Sequence, residues 1–230
     1  MRPGWSKPGV VSSGLCQTKK LIIMCIIIVN KRGMLSDAIL KESNKANPDG
    51  AGLMFSVDNH IYMYKSLDGK KIIRAYKAAR EEFPDVPMFL HFRISSSGEV
   101  DIPNCHPFRV NRETVLMHNG VLHDYTVYDS PVNDTRLFIK KVLSKIPQSQ
   151  LFTSWMQALV EKAIGGGNKF VMLKRNGEWC IFNEKAGHWV DENWFSNYSY
   201  QTPMVRTKYS HQPYFTYTVA KDGTVRIQDR

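Results

Sequence analysis

The longest apolar run in the sequence most narrows the folds that this chain can adopt. It extends from Leu21 to Val29 and contains Ile26, Ile27 and Ile28 in succession. Because the run is far shorter than the about 20 residues that span a bilayer, we expect no membrane span. The β-branched residues predict a strand over residues 25–30 that is buried on both faces, since a half-buried strand would alternate apolar and polar residues. Such a strand requires a covering layer on each side of its sheet.

The composition fits one globular domain with a sizeable core, since the 230 residues are 43% hydrophobic and 11% aromatic. The net charge is +10, and residues 1–24 hold four basic residues and no acidic one, so +6 belongs to the remainder. The basic residues are scattered, with runs no longer than pairs such as Lys70-Lys71 and Lys140-Lys141. This pattern favours solvated surface charge over nucleic-acid binding.

The cysteines indicate a reducing environment. Cys16, Cys25, Cys105 and Cys180 form no C-x-x-C pair and no Cys/His cluster at zinc spacing. We therefore expect neither a disulfide framework nor a metal site, and no cofactor. A cytoplasmic location fits best.

Residues 1–24 differ in composition from the rest of the chain. They are rich in Gly, Pro and Ser, and no small-residue cleavage site comes after their apolar end, which argues against a signal peptide. We expect a flexible N-terminal extension, a propeptide, or a mis-assigned start upstream of Met24.

Periodicity and turn residues predict helices and strands in a definite order. The first predicted helix begins at Ser36-Asp37 and ends at the turn 47–50. Three further helices are predicted over 70–83, 134–146 and 151–164. The predicted strands after the first cover 52–57, 60–66, 88–94, 113–117, 169–174 and 178–183, with a further hairpin of 214–220 and 224–228 about Asp222-Gly223. Strands, two helices and strands again predict antiparallel sheet covered by helices.

Three polar segments come directly after predicted strands or before a predicted helix. They are 91–98, which contains His91 and Arg93, 117–121, which contains His118-Asn119-Gly120, and 132–136, which contains Asn133-Asp134. Each has an ordinary structural explanation: Arg93 in an ion pair, Asn119-Gly120 as a hairpin turn, and Asn133-Asp134 as a helix cap. Loops at the ends of rigid strands are also where binding and catalytic residues concentrate.

The order of these segments resembles a known family. The ordered motifs are Cys25 at the head of a strand, Asn47-Pro48-Asp49-Gly50, His91 with Arg93, Asn104-Cys105-His106-Pro107, His118-Asn119-Gly120, and Asp134-Thr135. Together they resemble the glutaminase domain of class II (N-terminal nucleophile) glutamine amidotransferases, as a bacterial or phage-type stand-alone member. The resemblance implies an α+β fold, a four-layer αββα sandwich of antiparallel sheets. It also implies a glutamine amidotransferase domain over 25–202, with 203–230 as a tail or edge hairpin.

The resemblance implies a covalent mechanism. The Cys25 thiol attacks the side-chain amide of glutamine, forms a thioester and releases ammonia. In a chain that begins at Cys25, the free α-amino group, with a pKa of about 7.7 to 8.0, is the general base. Asn119 and the Gly120 N–H correspond to the oxyanion hole.

The same resemblance implies how substrate is held. Arg93 corresponds to the residue that pairs with the α-carboxylate, and Asp134 to the acid that receives the α-ammonium. Ser96 and Ser97 stand where the better-known pattern has Thr and His, so Ser96 keeps a hydroxyl for the carboxylate and the imidazole is lost. Supporting positions are Asp49, His91, His106 and His118.

The sequence leaves the substrate and the ammonia acceptor open. The substrate is glutamine or another γ-glutamyl amide, and the acceptor of ammonia is either water or a separate synthase. A catalytically silent binding module that keeps the fold is the other alternative. We expect neither a membrane nor a nucleic-acid partner.

Overall fold

The computed structural model describes residues 25–127 and 129–201, together with the backbone of 216–219 and 225–228. The chain divides into two compact units, and 25–201 belong to the larger one. The expectations for residues 1–24 and for the Asp222-Gly223 turn fall outside the described residues. The proposed domain boundaries remain predictions.

The described part contains twelve strands and four α-helices. The strands are β1 (Ile26–Asn30), β2 (Ala51–Val57), β3 (His60–Ser66), β4 (Met88–Phe92), β5 (Phe108–Arg109), β6 (Thr114–Asn119), β7 (Lys169–Lys174), β8 (Trp179–Phe182), β9 (His188–Val190), β10 (Asn193–Phe195), β11 (Thr216–Val219) and β12 (Val225–Gln228). The helices are α1 (Asp37–Ala46), α2 (Gly69–Glu82), α3 (Asp134–Lys141) and α4 (Ser154–Ile164).

The strands form two antiparallel sheets in the larger unit. The first has the order β3-β2-β4-β1-β10-β9, and the second has the order β5-β6-β7-β8. In the smaller unit β11 pairs with β12 in an antiparallel hairpin. No helix in the described ranges is long and apolar enough to cross a membrane.

Strand β1 shows how the layers pack. Ile26 and Ile28 lie in the core between the first sheet and α1 and α2, whereas Ile27 and Val29 lie in the core between the two sheets. All four are fully buried, which confirms the predicted strand with two covered faces. The alternation results from strand geometry, since successive side chains point to opposite faces.

A third apolar core lies on the far side of the second sheet. There Leu116 and Phe170 of the sheet pack with Phe138 of α3 and Val160 of α4. The order of layers is therefore helices, sheet, sheet, helices. The predicted four-layer αββα fold of the α+β class is confirmed.

Local capping explains where the helices begin. Ser36 caps α1 by accepting the Ile39 N–H, and Asp68 caps α2 by accepting the Lys70 N–H. Asn133 accepts the Arg136 N–H at the start of α3. Each cap satisfies a backbone donor that has no partner inside the helix.

The predictions for the two middle helices were partly wrong. Helix α3 ends at Lys141 rather than 146, because Val142 (φ −122°, ψ −70°) leaves helical geometry and the chain continues as the 3₁₀ turn Leu143–Lys145. Helix α4 begins at Ser154 rather than 151. The sequence prediction also missed the two-residue strand β5 and the three-residue strand β9.

Candidate active site

Four distant segments meet at one end of the two sheets. Cys25 directly precedes β1, Arg93 directly follows the neighbouring strand β4, Gly120 follows β6, and Asp134 is the first residue of α3. The β1–β4 register pairs Ile26 with Phe92, which brings Cys25 beside Arg93. These residues, together with Ser96, Ser97, His106 and His118, line one pocket.

The Cys25 thiol lies against the end of β4. Its Sγ accepts the Ile94 N–H at 3.3 Å and donates to the Ile94 carbonyl at 3.2 Å. Burial raises the pKa of the thiol to about 11. No imidazole within the described ranges hydrogen-bonds this sulfur. The geometry therefore lacks a Cys–His pair that would activate the thiol.

Two asparagines hold the carbonyl group of Cys25. The side-chain Nδ2 of Asn119 donates to it, and Nδ2 of Asn197 donates to it at 2.7 Å. The Oδ1 atom of Asn119 is buried and has no partner among the described residues. The sequence interpretation placed Asn119 in an oxyanion hole; here its amide bonds the Cys25 backbone. Asn197 was not among the predicted site residues.

Arg93 lines the pocket and has one guanidinium nitrogen without a hydrogen-bond partner among the described residues. The residue is only 3% exposed, and its Nη2 donates to the Ser95 hydroxyl and to the Ser97 carbonyl, both at 3.1 Å. Its Nη1 is buried without a hydrogen-bond partner, and no acidic side chain in the described ranges forms an ion pair with it. An unpaired buried cation is costly, so the site favours an anionic group beside Arg93.

The Asp49-Gly50 turn fixes the position of Arg93. The Asp49 N–H donates to the Arg93 carbonyl at 2.9 Å, and the Arg93 N–H donates to the Gly50 carbonyl at 2.7 Å. The Asp49 carboxylate accepts the Ser95 N–H at 2.8 Å. Asp49 therefore lies in a supporting position, because it holds the backbone that carries Arg93.

Asp134 is a buried acidic residue of the pocket lining. One carboxylate oxygen accepts the Leu122 N–H at 2.7 Å, and the other accepts the Thr135 N–H at 2.7 Å. The Asp134 N–H donates to the Ser97 hydroxyl at 3.4 Å, which brings the serine segment, residues 95–97, against α3. The pocket is about 20 Å³ in this state, room for about one water molecule. A ligand larger than water therefore requires a wider pocket.

Three buried histidines lie at the pocket, and two of them, His106 and His118, line it. His91 on β4 donates from Nε2 to the His118 carbonyl on β6 at 3.0 Å and so bridges the two sheets. The His106 ring lies 4.1 Å from that of His91, and neither His106 nitrogen has a partner among the described residues. Burial lowers the pKa of all three, that of His91 to about 3, so the rings are neutral.

His118 has a defined tautomer. Asn168 donates from Nδ2 to the Ile164 carbonyl at 2.6 Å, which leaves its Oδ1 to accept from His118 Nε2 at 2.8 Å. The other ring nitrogen, Nδ1, then lies 2.8 Å from the Thr135 hydroxyl as an acceptor. Both nitrogens of His118 are therefore occupied by structural hydrogen bonds.

Gly120 is required by its conformation and its neighbour. Its φ of +143° is rarely adopted by other residues, and a Cβ atom there would collide with Asn168. The absence of a side chain leaves the Gly120 backbone at the pocket wall. Among the described residues, no group of three or more His, Cys, Asp or Glu side chains could hold a metal ion.

Comparisons with known proteins give structural matches only. Neither the protein-family models nor the curated proteins match this chain. Among solved structures, it is similar to a glutamine phosphoribosylpyrophosphate (PRPP) amidotransferase from B. subtilis complexed with ADP and GMP, with 11% identity and a TM-score of 0.46. That match covers 89% of this chain and 48% of the other, so this chain spans about half the length of that relative.

A second similar structure is a glutamine aminotransferase class-II domain protein from Silicibacter pomeroyi. The identity is 14% and the TM-score 0.38, and the match covers 89% of this chain and 99% of the other. Both carry the name of a glutamine enzyme, the kind of protein that the sequence motifs resemble. At such identities and TM-scores, only the side chains of the site can indicate a function.

Proposed function

We propose that this chain is an amidase of the glutamine amidotransferase type, which releases ammonia from the side-chain amide of glutamine through a thioester on Cys25. One observation carries the proposal: a cysteine, a buried arginine with an unpaired Nη1, and the buried acid Asp134 line the same pocket. A free amino acid carries the two charges that these side chains complement, and its side chain would then lie toward the sulfur.

The thiol needs a base. An amide is a poor electrophile, so the attacking species must be a thiolate, yet burial raises the pKa of Cys25 to about 11. No imidazole of the described residues is bonded to the sulfur. In a chain processed to begin at Cys25, its α-amino group, with a pKa of about 8, accepts the proton from the sulfur of the same residue.

Arg93 and Asp134 would hold the substrate at its α-carbon. Nη1 of Arg93 would donate to the α-carboxylate, with the Ser96 hydroxyl as a further donor. The Asp134 carboxylate would accept from the α-ammonium while keeping its backbone N–H bonds. Because the binding energy comes from groups that plain amides lack, a peptide or a simple amide would bind weakly.

The tetrahedral intermediate would be stabilised by the Gly120 N–H and the amide of Asn119. Two donors share the Cys25 carbonyl, so Asn119 can rotate toward the substrate while Asn197 keeps that carbonyl hydrogen-bonded. Losing one oxyanion donor usually costs on the order of 100- to 1000-fold in rate.

The test compares four proteins in an assay of ammonia and glutamate released from glutamine. They are the 230-residue chain, a chain that begins at Cys25, and Cys25→Ala and Cys180→Ala in the shorter chain. We expect turnover from the chain that begins at Cys25, none from Cys25→Ala, and full turnover from Cys180→Ala, which removes a thiol outside the pocket. Turnover by Cys25→Ala would overturn the mechanism.

Two observations favour a second candidate, a binding module without turnover. The pocket has a volume of only about 20 Å³, and the Asn119 amide bonds the Cys25 backbone. Calorimetric glutamine binding without ammonia release, in a chain that begins at Cys25, would support this candidate. Hydrolysis of γ-glutamyl anilides in place of glutamine would identify a different γ-glutamyl amide as the substrate. If glutamine is hydrolysed, adding candidate synthases would show whether ammonia is passed on.

A further inference from the structure

A second cavity of about 400 Å³ lies outside the candidate active site, and we call it the basic pocket. Four cationic residues line it: Lys65, Arg109, Arg136 and Lys140. The other lining residues are apolar and include Phe108 and Ile139, and none of them is acidic. The volume falls within the range of small-molecule sites, about 300 to 1,000 Å³.

The four cations come from three separate elements. Lys65 lies on β3, an edge strand of the first sheet, and Arg109 lies on β5, an edge strand of the second. Arg136 and Lys140 are four residues apart on α3, where like charges destabilise a helix. The fold therefore brings together charges that repel one another and that no single element would collect.

In the described ranges, the four cations of the basic pocket are not paired with carboxylates in salt bridges. Nη1 of Arg136 donates to the side-chain Oδ1 of Asn104 at 3.4 Å. Lys65 is half-buried, with Nζ 4.5 Å from the centroid of the Phe108 ring. Burial lowers the pKa of Lys65 to about 8, with a smaller contribution from the charge of Arg136, while Cys105 and Asp101 oppose the shift. A bound anion would relieve both effects.

We propose that the basic pocket binds the diphosphate group of a small molecule. Two arginine forks and two ammonium groups offer more donors than one orthophosphate can use, whereas a diphosphate presents enough oxygens for all four. The apolar walls at Phe108 and Ile139 suit the uncharged remainder of such a ligand. The cations converge on a cavity rather than forming a stripe, which favours a compact ligand over a nucleic-acid backbone. The proposal is independent of the amidase function.

The test measures binding of inorganic pyrophosphate by titration calorimetry, at low and at moderate salt. The proteins are the wild type, the double variant Lys65→Gln/Arg109→Gln, and the control Arg74→Gln, which removes an exposed cation on α2. Lys65 and Arg109 lie outside the candidate active site, so turnover and thermal unfolding should stay close to wild type. We expect the double variant to bind pyrophosphate at least about tenfold more weakly, because charge-assisted hydrogen bonds are lost.

Parallel titrations separate the sources of the phosphate. A nucleoside diphosphate that binds more tightly than pyrophosphate, while its nucleoside alone does not bind, would support a ligand with an organic part. Equal weakening in Arg74→Gln would overturn the proposal, because binding would then depend on net charge. Absence of pyrophosphate binding would overturn it as well. The proposal would also be overturned if a single-stranded RNA bound through Lys65 and Arg109 while pyrophosphate did not bind.

Discussion

Replacing Arg93 by glutamine should remove the ability of the enzyme to distinguish glutamine from its α-carboxamide, glutaminamide. The two compounds share the side-chain amide and the α-ammonium group and differ only in the charge that Arg93 is proposed to bind. Because Nη1 of Arg93 is buried without a partner, the wild type should hydrolyse glutaminamide far more slowly than glutamine.

The size of the effect is set by the contacts of the guanidinium. Nη2 is already engaged by Ser95 and Ser97, so the substrate carboxylate gains its main bond from Nη1. A charge-assisted hydrogen bond formed out of water contributes about 3 kcal/mol, or roughly 150-fold in kcat/KM. Arg93→Gln should lose this factor for glutamine and keep its rate with glutaminamide, so the ratio for the two substrates falls toward one.

The assay measures kcat/KM for both substrates, with the side-chain hydrolysis products separated by mass spectrometry. Arg80→Gln is the matched control, since Arg80 is also buried, at 2% exposure, but donates to the Val86 and Pro84 carbonyls away from the pocket. It should lower stability and leave the ratio unchanged. A ratio near one in the wild type, or an unchanged ratio in Arg93→Gln, would refute the assignment of Arg93.

Three further predictions concern the frame of the site. Gly120→Ala should lower the free energy of unfolding by about 2 kcal/mol or more in urea titrations, because alanine is strained at φ +143°; unchanged stability would contradict this. Asn197→Ala should lower kcat by about tenfold or more with little change in KM, because the Cys25 carbonyl loses a bond; an effect on KM alone would contradict it. The buried histidines His91, His106 and His118 have lowered pKa values, so the unfolded chain takes up protons first as the pH falls. Above pH 6.5, the ordinary pKa of histidine, the contribution of these histidines to the free energy of unfolding should be complete. Below that pH, the free energy of unfolding should decrease by up to about 1.4 kcal/mol per pH unit for each histidine, until the pH approaches 3, the pKa of His91. Equal stability in urea at about pH 7 and about pH 5 would refute this pH dependence.

Features set by local chemistry could be predicted from the sequence. The hairpin about Asp58 and Asn59 needs two residues with positive φ, and both adopt it, at 48° and 59°. Strand β3 was predicted over its full length, and the Ser36 cap fixed the start of α1. In each case the decisive residues are neighbours in the chain, so the pattern contains the information.

Features set by distant partners could not be predicted. The β1–β4 register, which brings Arg93 beside Cys25, depends on pairing across more than sixty residues, and only the order of motifs pointed to it. The bond from Asn197 to the Cys25 carbonyl has a sequence separation of 172, and no local pattern marks that asparagine. The basic pocket draws Lys65, Arg109 and Arg136 from three elements. Scattered charge in the sequence was interpreted only as solvated surface.

The most direct test of the central claim is intact-protein mass spectrometry of a chain that begins at Cys25, quenched in acid during glutamine turnover. We expect a γ-glutamyl adduct that maps to the peptide containing Cys25, is removed by hydroxylamine, persists in Cys180→Ala and is absent in Cys25→Ala. Ammonia release without any such adduct, or an adduct that survives in Cys25→Ala, would contradict a thioester on Cys25.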